Sequence, residues 1–141
     1  MEVVLHLPVV PNVELVAAKA IEALGGALGM PQTRVEAASV AIVEACLNAM
    51  EHGGGRMSVR VAGEGGEGDN GRRRLVVEVE DHGRGFDPLT APRNTASQVL
   101  GCASKRGWGL TLIRELMDEV EIFSEPGQTI VRMCKYVEND S

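Results

Sequence analysis

The stretch from Pro31 to about His52 constrains the fold most, because it has a high-propensity, Ala-rich helical composition and is apolar nearly all the way round. Ile42, Val43, Ala45, Cys46, Leu47, Ala49 and Met50 cover most of its circumference, and Ala37 and Ala41 are small. At about 100 degrees per residue, Asn48 lies about 40 degrees and His52 about 80 degrees from Glu44, with Glu51 about 20 degrees to the other side. One narrow polar stripe results. Pro31 falls in the first turn, where a missing N–H costs least, and Gly53, Gly54 and Gly55 end the helix. Two readings fit the stripe. It faces water, as on an amphipathic surface helix, or it faces a cavity that needs an acid and an oxygen ligand. His52, near the carboxyl end, complements the helix dipole and is read as structural.

The rest of the chain supplies the layers such a helix needs. Residues 2–7 alternate up to Pro8 and read as a strand, and Val13, Val16, Ala17, Ala20, Ile21, Leu24 and Leu28 recur at helical spacing. Residues 56–62 and 75–81 alternate Val, Met and Leu with polar partners and read as two antiparallel strands. Between them, 63–74 is glycine-rich and charged, a flexible surface loop, and its Arg72, Arg73, Arg74 run reads as a solvated edge rather than a binding patch. Residues 88–106 lack a period and form a connection longer than compact domains normally use, the mark of a lid or binding loop. A third helix begins near Trp108, and two strands around 120–124 and 129–137 flank a turn at Pro126–Gln128. The expected fold is α+β, one domain over residues 1–141, with helices on one face of a mostly antiparallel sheet.

Composition narrows the function. Hydrophobic residues make up 44% and charged residues 24%, as in folded soluble proteins. Aromatic residues are only 3% and the formal net charge is -6, which argues against base stacking and against phosphate backbones or anionic lipid. Cys46, Cys102 and Cys134 are odd in number and unpaired by spacing, as expected of reduced cytosolic thiols. There is no basic leader and no apolar run near the roughly 20 residues that span a bilayer, so the expectation is a cytoplasmic protein with no membrane contact.

Two further stretches carry chemistry. In EDHGRGFDP, residues 80–88, Asp81 ends a strand, and Gly83 and Gly85 permit close backbone approach; alone, this is equally a plain turn. In KRGWGLTLIRELMD, residues 105–118, Gly107 and Gly109 run into a helix whose free N–H groups suit a phosphate, with Lys105 and Arg106 as cations; alone, this reads more simply as a helix-start turn.

Taken in order, E-x-x-x-N-A-x-x-H-G on a helix, D-x-G-x-G-F after a strand and G-x-G-L opening a helix resemble the N, G1 and G2 boxes of the Bergerat-fold (GHKL) ATP-binding superfamily. That superfamily includes gyrase, histidine kinases and a heat-shock chaperone. The small size, the LMDEVEI continuation and the GQTIVRM end look most like its anti-sigma-factor serine/threonine-protein kinases, and the likeness runs from the first strand to about Tyr136. The resemblance implies a two-layer α/β sandwich with three helices on one face. It also implies a kinase that transfers the γ-phosphate of ATP to a small anti-sigma-factor antagonist and binds a sigma factor, regulating transcription without touching nucleic acid.

By that resemblance Asn48 ligates Mg2+ on the ATP phosphates and Glu44 is the general base. Asp81 accepts from the adenine amino group, Gly83 and Gly85 let the backbone lie against the base, and Thr129 supports Asp81. Gly107, Trp108, Gly109 and Leu110 cradle phosphates, Lys105 or Arg106 reaches the γ-phosphate, and 88–106 is the ATP lid. Relatives also suggest a homodimer through the first strand and helix. The long 63–74 loop and Trp108, where relatives often carry a smaller aliphatic residue, depart from the pattern without removing a ligand. The alternatives are a non-catalytic ATP-binding regulator, against which Glu44 argues, and an isolated histidine-kinase-type ATP-binding domain, which lacks its phosphoacceptor helices here.

Overall fold

A computed structural model describes residues 1–52, 56–66, 71–82 and 109–138. In chain order these form β1 (Glu2–Pro8), α1 (Glu14–Ala27), α2 (Gln32–His52), β2 (Arg56–Glu64), β3 (Arg74–Asp81), α3 (Gly109–Leu116), β4 (Glu119–Glu125) and β5 (Gln128–Tyr136). The five strands make one sheet in the order β1-β2-β3-β5-β4, with every neighbouring pair antiparallel.

Strand alternation sorts the side chains into two faces. Leu7, Met57, Val59, Val61, Leu75, Val77, Val79, Val131 and Met133 point toward the helices and join Ala17, Ile21, Ile42, Ala45, Cys46, Leu110 and Ile113 in the core. The opposite face carries a charge ladder across the sheet: Arg60 pairs with Glu2 and with Glu78 at 3.3 Å, and Arg132 bridges Glu78 at 3.3 Å and Glu121 at 3.2 Å. The helical layer is centred on α2, which packs on both α1 and α3. Gly25 permits the close approach to α1, since a Cβ there would stand 2.9 Å from Val35 Cγ2.

Several expectations shift in detail. The Pro31 carbonyl accepts the Arg34 and Val35 N–H groups at 3.0 Å, so Pro31 stands just before α2 rather than in its first turn. Gly63, Glu64 and Arg74, assigned to the loop, belong to strands, because the β2–β3 ladder continues through the Gly63–Leu75 and Glu64–Arg74 pairs. Residues 67–70 of that loop, Gly53 to Gly55 and the 88–106 lid lie outside the described residues. The arginine run is not merely solvated: Arg72 lies 3.6 Å over the Tyr136 ring, Arg73 donates to the Leu28 carbonyl at 2.8 Å, and Arg74 pairs with Glu64 at 3.0 Å. Its charges tie β3 to α1, β2 and β5.

Candidate nucleotide site

Three of the sequence-selected residues meet where α2 and α3 pack together. Glu44 and Asn48 sit one turn apart on the same helix face. The start of α3 is pressed against them: a Cβ on Gly109 would lie 3.2 Å from Glu44 Oε1, 3.7 Å from Asn48 Nδ2 and 3.8 Å from Asn48 Oδ1. A Cβ at residue 109 would crowd Glu44 Oε1 and touch the Asn48 amide, so glycine lets the start of α3 lie this close to both groups. Leu110, the next residue of α3, turns inward and is 8% exposed.

The polar stripe of α2 is split. Glu51 is exposed, Glu44 is half-buried and Asn48 is only 5% exposed, so the Asn48 end faces inward rather than toward water. The Asn48 side-chain nitrogen is buried without a hydrogen-bond partner. Leaving such a group unmet costs about 1–3 kcal/mol, which a folded protein tolerates where something else completes the bond. Which end of the amide is nitrogen is a matter of orientation, so the same position can present its oxygen to a cation. Cys46, between Glu44 and Asn48 in sequence, faces the core instead, and burial, reinforced by the Glu14 carboxylate, pushes its thiol up to about 12. It is not a nucleophile.

Asp81 and Thr129 form a second polar pair on the helix-facing side of the sheet. They stand directly opposite in the β3–β5 ladder and are 3% and 1% exposed. The Thr129 and Ser124 hydroxyls are 3.1 Å apart across the β4–β5 hairpin. Ser124 was missed in the sequence; counting back from the turn at Pro126 and Gly127 pairs it with Thr129. Gly83, Gly85, Lys105, Arg106, Gly107 and Trp108 lie outside the described residues, as does the side chain of His52.

Among the described residues no group of three or more His, Cys, Asp or Glu side chains is placed to hold a metal ion. Mg2+ at nucleotide sites keeps several waters and is held by one or two protein oxygens together with substrate phosphates. The Asn48 side-chain oxygen is of the type that would serve, beside Glu44 and the start of α3. Among the described residues no helix is long and apolar enough to cross a membrane.

Comparison with known proteins places the chain among relatives of known kind. The chain is 30% identical to the serine-protein kinase RsbW of Bacillus velezensis over an alignment 150 positions long with gaps, covering 96% of this chain and 86% of the relative. It is 32% identical to the anti-sigma F factor of Thermoanaerobacter pseudethanolicus over 68 residues, 48% of each chain. The crystal structure of the RsbU and RsbW domains of a Mycobacterium tuberculosis protein shares the fold, with a TM-score of 0.68 and 19% identity, covering 100% of this chain and 34% of that one. Residues 10–135 match the family model of the histidine kinase-like ATPase domain, and the chain belongs to that family.

Proposed function

We propose that the protein is a Mg-ATP-dependent serine/threonine protein kinase and anti-sigma factor whose protein substrate is a small anti-sigma-factor antagonist. One observation carries the reading: Glu44 and the under-paired Asn48 lie against the glycine that opens the amino terminus of α3. The names of the relatives, serine-protein kinase and anti-sigma F factor, support the choice of phosphoacceptor and partners within the ATPase family.

In this reading Asn48 would hold Mg2+, which when bound neutralises phosphate charge and joins the nucleotide to α2. The N–H groups of Gly109 and Leu110, at the positive end of the α3 dipole, donate to phosphate oxygens. Asp81, fixed in the sheet opposite Thr129, accepts from the adenine amino group. Glu44 takes the proton as the substrate hydroxyl oxygen forms its bond to the γ-phosphorus and the bond from that phosphorus to the ADP oxygen breaks. Gly83, Gly85, Lys105, Arg106, Gly107 and Trp108 belong to the proposal by motif alone. So do the lid at 88–106, a cytoplasmic location and a homodimer through β1 and α1; the exposed Val4, Leu15 and Val16 support the last.

The test incubates the purified protein with γ-labelled ATP, Mg2+ and the candidate antagonist proteins of its own genome. Label is expected on serine or threonine of one of them, and Glu44→Gln is expected to slow transfer about 100-fold or more. A wild type that binds ATP but labels none of them, or a Glu44→Gln protein as fast as wild type, overturns the kinase reading.

A further inference from the structure

The LMDEVEI segment that follows the third motif has no place in the chemistry above, yet it meets an unusual concentration of partly buried charge. Asp118, between α3 and β4, accepts from Arg34 Nη2 at 2.7 Å and from the backbone N–H of Tyr136 at 2.7 Å. Its own N–H donates to the Cys134 carbonyl at 2.9 Å. Arg34, in the first turn of α2, also donates through Nε to the Tyr136 carbonyl at 2.8 Å, and its side chain is 14% exposed. Lys135, 8% exposed and pointing toward the helical layer from β5, donates Nζ to the carbonyl of Leu116, the last residue of α3.

That carbonyl is one of the four at a helix end that lack an intrahelical partner, and a cation placed there also suits the negative end of the dipole. Burial pulls the Lys135 ammonium below its ordinary value, Asp118 opposes that shift and Arg34 adds to it, so a charged group is held here against its desolvation. An apolar side chain would fill the same space without that cost. The three charges share a geometric consequence. They fix the carboxyl end of α3 to β5 and to the beginning of α2, while the amino end of α3 abuts Glu44 and Asn48 farther along the same α2. α3 is only eight residues long, about 12 Å, so its two ends stand close together along one rod.

We propose that Arg34, Asp118 and Lys135 form a clamp that positions α3, setting the distance between Gly109 and the Glu44–Asn48 pair and thereby the affinity for nucleotide. They are positioning residues that touch neither nucleotide nor protein substrate. The inference rests on the nucleotide reading of the Gly109 end.

The test titrates Mg-ATP into the full chain and its variants and follows amide exchange in α1 and α3. Lys135→Met removes the ammonium but fills the space, and Arg34→Lys keeps the charge but cannot donate to Asp118 and Tyr136 in the same two directions. Both are expected to fold, to weaken Mg-ATP binding about tenfold and to speed exchange in α3 but not in α1. Lys135→Arg, which keeps a donor for the Leu116 carbonyl, is expected to restore most of the affinity. Folded variants that exchange faster in α3 yet bind as tightly as wild type would make the cluster a stability element and overturn the clamp. A Lys135→Arg protein as weak as Lys135→Met overturns it too. A wild type that does not bind Mg-ATP sinks the nucleotide reading itself, so the two failures are distinguishable.

Discussion

At one end of the α2–α3 pair, Arg34, Asp118 and the Tyr136 backbone satisfy one another at distances as short as 2.7 Å, and Lys135 donates to the Leu116 carbonyl. At the other end, Asn48 is slightly more buried than Lys135 yet has a nitrogen with no partner, beside the glycine that opens α3. Both ends are polar, both are largely hidden from water and both join the same two helices. The difference lies in completion. A buried polar cluster that is fully paired within the chain holds the fold together, whereas one left incomplete and fronted by a glycine is a place for something else to bind.

The comparison predicts unequal responses to truncation in the ligand-free protein. The largest belongs to the paired end: Arg34→Ala leaves Asp118 and the Tyr136 carbonyl short of a donor and should cost about 2–3 kcal/mol of stability, read by urea unfolding. A loss under about 0.5 kcal/mol would mean that the pairing is ornamental and would erase the contrast.

An effect confined to alkaline pH comes from two thiols, one near each end. Cys46 is pushed up to about 12, chiefly by burial and then by Glu14, and Cys134 to about 11, chiefly by burial and then by Glu119. Both folded values lie above the ordinary thiol, so the unfolded chain releases these protons first. The stability this contributes is intact below pH about 9 and is lost as pH rises toward the folded values, by roughly 1.4 kcal/mol per pH unit for each thiol. Unfolding midpoints from pH 8 to 11 should therefore fall, less steeply in Cys46→Ala and in Cys134→Ala than in wild type. Slopes unchanged by either substitution would refute the assignment.

The smallest effect belongs to the incomplete end. Asn48→Ala removes a buried amide that is not fully paired, so ligand-free stability should change by no more than about 1 kcal/mol in either direction. A loss as large as that of Arg34→Ala would show that Asn48 is structural.

Much of this was legible in the sequence, for reasons that differ by residue. Strand and helix periods reveal β1, β3, α1 and α2 because each buries one face against the same core. The extension of β2 through Gly63 and Glu64 was hidden, since glycine and glutamate read as loop. Gly63 lies beneath Leu28, where a Cβ would stand 2.9 Å from its Cδ2, a contact that no local pattern announces. The insertion of β5 between β3 and β4 depends on pairing between distant segments and has no local signature.

At the site, Glu44 and Asn48 were readable because helical geometry converts a spacing of four into one face, and Gly109 because it opens a helix. Alone, the stripe was ambiguous between water and a cavity. The decisive quantities, the burial of Asn48 and the contact with Gly109, belong to tertiary packing. Arg34, Asp118 and Lys135 were invisible for the same reason. They are charges on a helix, a connection and a strand far apart in the chain, and charges in a sequence usually mean surface.

The most direct measurement is a calorimetric titration of Mg-ATP into the wild-type and Asn48→Ala proteins. Saturable binding at one site per chain is predicted for the wild type, with Asn48→Ala weaker by roughly 10- to 100-fold, the equivalent of about 1–3 kcal/mol. No binding by the wild type, or equal affinity in the folded Asn48→Ala protein, would contradict the assignment of the incomplete end as the nucleotide site.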